Sequence, residues 1–294
     1  MKKKILITGG AGFIGTAISK SIIDKDNFEL IIADRLDFGI SSDLKILKKK
    51  FRLIKTDLSN LSSIHEKIKK GYFDYIINLA SLTHIPTCLL FPDFAYKCNT
   101  ILLLNILDNM QSNTKLINFS TSSTYAPENK KHNENKSKLE PIDFYGWTKK
   151  HGEDLTNFYA KRKKLKIINI RLANAAGQGE TNTKLLGTII SQLKNKVVKL
   201  GNLTPKRDFI HVDDIAWVIT SIISRNIFKN IKNSDYLNLG TGHTPLSVKE
   251  IYSKIAEIYP KKIKFKISND RKRKIDRELL APNTKKLFRI FPDF

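Results

Sequence analysis

Cysteine, acidic charge and long apolar runs are what this chain has least of, and each shortage closes off a class of protein. The two cysteines in 294 residues, Cys88 and Cys98, are too few and too locally placed for a disulfide framework, and no Cys/His cluster has metal-ligand spacing. A site without metal, in a reducing cytoplasm, is the expectation. No apolar stretch approaches the ~20 residues of a membrane span. The opening Met1-Lys2-Lys3-Lys4-Ile5-Leu6-Ile7 carries the charge of a leader, but its apolar part breaks at Gly9-Gly10 with no small-residue cleavage site, so it reads as a first strand. Asp and Glu total 28 against 52 Lys and Arg, a formal charge of +24, which would attract polyanions and raises a nucleic-acid role. The excess is mostly Lys, spread from Lys2 to Lys286 in clusters such as Lys48-Lys49-Lys50 and Lys161-Arg162-Lys163-Lys164, as solvated helix ends and turns would be. No nucleic-acid motif accompanies it. Neither nucleic acid nor membrane is an expected partner, and the positive field suits a small substrate carrying a diphosphate.

What is present is alternation. Short β-branched runs at 4–8, 30–33, 52–55, 75–79, 115–119 and 166–170 are separated by amphipathic stretches, of which 13–24, 61–69, 94–110 and 145–164 read as helices. That pattern argues for βαβ units and a parallel sheet, with ligands at the carboxyl ends of the strands. After Arg171 it loosens, with Gly177-Gln178-Gly179, a helical stretch 183–194 and a turn at 201–205, as an inserted substrate lobe would. The polar, Asn- and Lys-rich segment 128–140 reads as an exposed loop.

The first strand runs into Thr8-Gly9-Gly10-Ala11-Gly12-Phe13-Ile14-Gly15, whose glycines fall as G-x-x-G-x-x-G. Glycine permits the tight turn and lets backbone approach a pyrophosphate, whose charge sits against the unpaired N–H groups of the following helix. Alone this could be a glycine-rich turn with no ligand; strand before and helix after favour a dinucleotide. Gly9, Gly12, Phe13, Ile14 and Gly15 are the candidate contacts. The second strand ends at Asp34, about twenty residues on, where a carboxylate can accept from both hydroxyls of an adenosine ribose. Asp34 favours NAD(H) over NADP(H), although Arg35 could stack on adenine or meet a 2′-phosphate. Asp57 and Leu58 follow the third strand, and Leu79, Ala80 and Ser81 close the fourth. Singly these are turn residues; at successive strand ends they read as cofactor contacts.

Tyr145 and Lys149 stand four apart in Tyr145-Gly146-Trp147-Thr148-Lys149, hence on one face of a helix. A phenol of pKa ~10 is a poor base at neutral pH, and a neighbouring cation would favour its phenolate. The same lysine could hold a nicotinamide ribose. Upstream, Phe119-Ser120-Thr121-Ser122-Ser123-Thr124-Tyr125 clusters hydroxyls at a carboxyl strand end. They could bind an oxygen undergoing oxidation or reduction, or simply cap their own turn.

Taken in order, TGGAGFIG, NLAS, FSTSSTYA, YGWTK and, at 207–214, RDFIHVDD resemble the motifs of the extended short-chain dehydrogenases/reductases, in the NAD-dependent nucleotide-sugar epimerase/dehydratase group, over residues 3 to about 250. The resemblance implies an α/β fold: a Rossmann, doubly wound parallel sheet with a smaller C-terminal α/β lobe. The NAD-binding domain would span 1–172, completed by about 207–241, with 173–206 and 242–294 as the substrate-binding lobe and 236–242 as the returning strand. It makes Thr121 the catalytic hydroxyl beside Tyr145 and Lys149, with Ser122 and Ser123 at the substrate. Asn99, opening a helix 99–109, would support the site, with Leu102 where the family usually has glycine. Asn174 of Arg171-Leu172-Ala173-Asn174 and Arg207 would contact the substrate diphosphate, as would a later arginine aligned with Arg271, with Arg273 and Arg277 as competitors. A homodimer through helices 94–110 and 145–164 is also implied.

The implied chemistry begins with Tyr145 taking the proton of a sugar hydroxyl, leaving a ketone. In a 4-epimerase the transient 4-keto sugar turns over and is reduced on its other face, regenerating NAD within each turnover. This is the preferred reading, within carbohydrate biosynthesis. An NAD(P)H-dependent reductase of 4-keto-6-deoxysugars shares the same three residues and is the alternative. A 4,6-dehydratase is disfavoured, because Ser122 and Ser123 stand where that group carries Asp-Glu. A dinucleotide-sensing scaffold would not need the intact Thr121, Tyr145 and Lys149. Tyr145→Phe is expected to abolish turnover and leave NAD affinity within a few-fold, measured by steady-state kinetics and cofactor titration; unaltered turnover would refute the assigned role.

Overall fold

The computed structural model describes residues 2–25, 27–37, 39–180, 184–195, 197–272 and 276–294. Strand β1 (Lys3–Thr8) leads to helix α1 (Phe13–Ile23), β2 (Phe28–Asp34) to α2 (Ser42–Ile46), and β3 (Arg52–Lys55) to α3 (Ser63–Lys69). Then β4 (Tyr75–Asn78) is followed by α4 (Ile85–Leu90), α5 (Pro92–Tyr96) and α6 (Leu102–Asn109), and β5 (Lys115–Thr121) by α7 (Phe144–Lys163) and β6 (Lys166–Leu172). Shorter elements come next: β7 (Asn174–Ala176), α8 (Leu185–Gln192), β8 (Val197–Leu200), β9 (Lys206–Arg207) and β10 (Phe209–His211). The chain finishes with α9 (Val212–Ser224), β11 (Ser234–Leu239), β12 (Leu246–Ser247), α10 (Val248–Ile258), β13 (Lys264–Ile267), β14 (Leu279–Leu280) and α11 (Lys285–Ile290).

Seven strands form one sheet in the order β11-β6-β5-β4-β1-β2-β3, every neighbouring pair parallel. The chain builds outward from β1 to β3 and then crosses to the other side at β4, so the strand order reverses between β1 and β4 and leaves a crevice at their carboxyl ends. The alternating side chains explain why both faces are covered. Ile5, Ile7, Ile117 and Ile170 pack with Ile18 and Ile22 of α1 and Ile215, Ile219 and Ile222 of α9. Leu6, Ile76, Leu116 and Ile167 pack on the other face with Ile64 and Ile68 of α3 and Leu103, Ile106 and Leu107 of α6. Burying each such side chain contributes about 1.5–3 kcal/mol, and burial on both faces is why these strands read as continuous apolar runs.

A polar line crosses this core. The register sets Thr8, Asn78, Asn118 and Asn169 side by side on four neighbouring strands. Thr8 donates to Asn78 at 2.7 Å, Asn78 to Asn118 at 3.0 Å, Asn118 to Asn169 at 2.9 Å, and Asn169 to Thr156 of α7 at 2.9 Å. Each buried amide thereby has a partner, which keeps the line from being a penalty.

Four expectations change. Residues 94–110 form a helix that passes through a π-helical turn, Lys97–Ile101, so Asn99 lies within that turn and does not open a helix. Segment 128–140 is not simply exposed: His132 and Glu134 are buried, with the His132 N–H on the Ala281 carbonyl at 2.9 Å and Glu134 accepting from the Asn238 N–H at 3.0 Å. Its polar residues are those of a segment satisfied by partners distant in the chain. The lobe has its own cluster around Ile189, Val198, Leu200 and Ile251, but α11 does not join it. Leu287 and Phe291 enter the sheet's core, with Trp217 of α9 edge-on to Phe291 at 5.8 Å. The 183–194 helix runs Leu185–Gln192 with a 3₁₀ turn after it, and Thr183 lies outside the described residues. Among the described residues no helix is long and apolar enough to cross a membrane.

Gly9 has φ +67°, and a Cβ there would lie 2.7 Å from the Ala80 nitrogen. Gly9→Ala should therefore cost about 1–3 kcal/mol of stability, read as a lowered urea midpoint. An unchanged midpoint would show that the turn relaxes freely.

Candidate active site

The turn after β1 is held largely by its own backbone. The Gly9 N–H donates to Ala33 at 2.8 Å and the Gly12 N–H to Gly9 at 3.2 Å. Gly15 folds back so closely that a Cβ would sit 2.6 Å from both Gly9 O and Gly10 Cα. Gly12 is the N-cap of α1 and offers its first turn no side-chain cap, leaving the helix end facing the turn as an anion cradle. Phe13 and Ile14 are half-buried at its rim. Asp34, at the end of β2, accepts from the Ala11 N–H at 3.0 Å and the Leu36 N–H at 2.8 Å, so the carboxylate stands against the glycine turn. Gly9 against Ala80, the uncapped helix and Asp34 together fit a dinucleotide. Arg35 is otherwise engaged: it pairs with Asp37, lies 3.9 Å from Asp57 and stacks over Phe94 at 4.9 Å. Burial would raise the Asp57 carboxyl, but Ser59 and Arg35 bring it below its ordinary value. Leu58 is buried in the core. The Ala80 N–H reaches the Thr8 hydroxyl at 3.4 Å, and the Ser81 hydroxyl reaches the Leu79 carbonyl at 3.4 Å.

The sequence set Thr121 and Tyr145 far apart in the chain; the fold brings them together, close enough for the Thr121 hydroxyl to bear on the Tyr145 phenol. Thr121 ends β5, accepting the Ser123 N–H on its hydroxyl at 3.2 Å. Tyr145 comes from the first turn of α7, capped by Asp143, whose carboxylate accepts from the Gly146 N–H at 2.8 Å. Lys149, 5% exposed, lies one turn on. Gly146 lets this happen: a Cβ there would collide with the Ser123 carbonyl. Asn99 serves as a brace, accepting from the Leu82 N–H at 2.7 Å and donating to the Leu82 carbonyl and the Thr148 hydroxyl, both at 3.0 Å. It ties the loop after β4 to α7. Leu102, in the place of the family's glycine, is simply core.

The expected lowering of the Tyr145 phenol by Lys149 is not found. Burial pushes Tyr145 well above its ordinary value, Cys88 and Asp143 add to that, and the Thr121 hydroxyl opposes it. Burial also pulls Lys149 down, to about 8, with Glu153 and Cys88 working the other way. Desolvation outweighs the pairwise effect on both groups. Cys88, on α4, donates to the Leu82 carbonyl at 3.4 Å, and burial raises its thiol to about 11.

Among the candidate substrate residues, Ser122 turns its hydroxyl to the Leu172 carbonyl at 3.1 Å, and both it and Ser123 are buried. Asn174 opens β7, half-buried, its N–H on the Asp208 carbonyl at 3.0 Å. Arg207 pairs with Asp276 at 2.7 Å. Arg271 is exposed in a 3₁₀ turn, with its backbone against Gly201. Its competitor Arg277 is the arginine set beside the hydroxyl cluster, donating to the Ser123 carbonyl at 2.9 Å and facing Asp143 at 3.6 Å, while Arg273 lies outside the described residues. Gly146 and Cys88 were missed from the sequence. Gly146 was legible as the residue after the tyrosine; nothing in the sequence pointed to Cys88.

A family model described as "NAD dependent epimerase/dehydratase family" matches residues 5–240. The chain is 30% identical over 261 residues to a GDP-6-deoxy-D-talose 4-dehydrogenase of Aggregatibacter actinomycetemcomitans, covering 87% of this chain and 80% of that protein. It is 28% identical over 277 residues to a UDP-glucuronate 4-epimerase of Thermodesulfobacterium geofontis, covering 90% and 83%. A solved UDP-glucuronic acid 4-epimerase of Bacillus cereus, in complex with UDP-glucuronic acid and NAD, superposes with a TM-score of 0.87 at 21% identity, over 98% of this chain and 93% of that one, and shows the shared fold.

Because α7 reaches Ser123 only through Gly146, Gly146→Ala should push Tyr145 off Thr121 and cut kcat about a hundredfold, with the melting temperature far less affected. Parent-like kcat in the assay described below would show that Tyr145 does not depend on this approach.

Proposed function

The chain belongs to the NAD dependent epimerase/dehydratase family, and on that premise we propose that it interconverts nucleotide sugars epimeric at C4 through a transient 4-keto sugar. The approach of Tyr145 to Thr121 at the end of β5, one helical turn from buried Lys149, carries the reading. Gly9, Gly12 and Gly15 hold the diphosphate of NAD against the start of α1, Asp34 holds the adenosine ribose, and Lys149 holds the nicotinamide ribose. Bound NAD supplies the hydride acceptor. Tyr145 takes the proton of the sugar hydroxyl and returns it to the ketone oxygen, while the Thr121 hydroxyl steadies that oxygen. Burial, by favouring the neutral phenol, suits the returning half of this cycle. Asn174, Arg207 and an arginine of the last segment, Arg277 more directly placed than Arg271, grip the substrate's diphosphate; a guanidinium fork matches phosphate oxygens.

Reduction of a 4-keto sugar is the second reading, favoured by the 4-dehydrogenase relative. Dehydration is not supported: Ser122 and Ser123 offer neither acid nor base, and Ser122 already donates to Leu172. A homodimer belongs to the proposal, since Leu89, Leu90, Phe91, Phe94, Trp147 and Phe158 are exposed apolar residues on and between α4, α5 and α7. So does cytoplasmic residence, consistent with Cys88 and Cys98 as free thiols.

Purified protein incubated with UDP- and GDP-sugars and no added cofactor should yield C4 epimers, detectable by proton NMR. Absence of isomers, with NAD(P)H consumed on a 4-keto sugar, would replace epimerase by reductase.

A further inference from the structure

Beneath the reacting residues lies a buried ion pair that the scheme above does not use. Glu153 follows Lys149 by one helical turn, so the two share a face of α7. Its carboxylate and the guanidinium of Arg171 on β6 are each 1% exposed. Oε1 accepts from Arg171 Nε at 3.0 Å and from the Ser120 hydroxyl at 2.5 Å, and Oε2 accepts from Arg171 Nη2 at 2.7 Å. Ser120 immediately precedes Thr121, so one carboxylate joins β5, β6 and α7 just behind the Thr121–Tyr145 contact. Arg171 lies between the rings of Tyr125 and Tyr236, 4.9 and 4.3 Å from their centroids, and donates to the Tyr125 hydroxyl and the Glu134 carbonyl. Burying two charges at this depth is costly, and well-packed apolar residues often stabilise a fold as much, so stability alone is a weak reason for the pair.

The groups that face Lys149 supply another. Tyr145 and Glu153 share its helix, Cys88 comes from α4, and Asp143 and Lys184 act on Cys88 in turn. Burial drives Lys149 towards its neutral form, and Glu153 is the largest influence opposing this. We propose that Glu153 is the positioning residue for Lys149: clamped by Arg171 and Ser120, its carboxylate keeps the ammonium charged and fixes α7 at the end of β5.

The test uses the full-length protein with 13C-labelled lysine, following the Lys149 Cε resonance against pH. Its midpoint, expected near 8 from burial, should separate it from surface lysines at about 10.4, and Lys149→Met identifies it. Glu153→Gln removes the anion while leaving Arg171 in place, so the midpoint should fall by about one pH unit. Ser120→Ala withdraws a donor from the carboxylate and leaves more of its charge for Lys149, so the midpoint should rise by about a few tenths of a pH unit. An unmoved midpoint in folded Glu153→Gln, or acid shifts in both variants, overturns the proposal. Should Glu153→Gln fail to fold, Ser120→Ala decides alone: an alkaline shift supports the coupling, and no shift or an acid one ends it. The inference rests on the proposed function only through activity. Activity depends on the charged lysine there, so it should be lost as pH rises through the measured midpoint, and that alkaline limb should move with the resonance. A resonance that moves while the limb stays would keep Glu153's role and remove that of Lys149 in the reaction.

Discussion

Backbone proximity at two glycines is the constraint on which the site depends. Gly9 against Ala80 brings the glycine turn after β1 to the end of β4, and Gly146 against the Ser123 carbonyl brings α7 to the end of β5. These two approaches place the turn, the hydroxyl cluster and the tyrosine around the crevice where strand order reverses. A side chain at either position would need about 1 Å of extra room, which a close-packed interior does not give.

The catalytic edge is stiffened by buried polar groups rather than by apolar packing alone. The line from Thr8 through Asn78, Asn118 and Asn169 ends on Thr156, and the Ser120–Glu153–Arg171 cluster ends on the same helix. Such networks are costly when half satisfied and specific when complete. Here they join the strands that end at the turn and the hydroxyl cluster to the helix that carries Tyr145 and Lys149, so distance and charge at the site are governed by the same contacts.

Desolvation dominates the ionisation of Tyr145 and Lys149. A lysine four residues from a tyrosine implies attraction; the folded chain shields the half-buried phenol and buries the amine, raising the one and lowering the other. The pair therefore joins a phenol that holds a proton tightly once it has taken one to an ammonium that needs support, and the carboxylate one turn away provides it. The high positive charge of the chain is separate from this local balance: it acts at long range, where it would draw in the diphosphate-bearing substrate proposed above.

Much of the fold was written in local patterns, because strand and helix periodicity, the glycine spacing and the Tyr145–Lys149 interval are short-range features that the backbone geometry obeys wherever the chain goes. The α/β class, the succession of the first six strands along the chain, the glycine turn between β1 and α1 and the place of Asp34 at the end of β2 were determined in this way. Long-range pairing decided the rest. Segment 128–140 looked solvated because the partners of His132 and Glu134 lie near residues 238 and 281, and α11 joined the sheet's core because Trp217 and the β-strands offered it an apolar face. Arg277 displaced Arg271 beside Ser123 for the same reason: among several arginines in one basic stretch, only the tertiary path of the chain chooses which guanidinium is buried and what it meets.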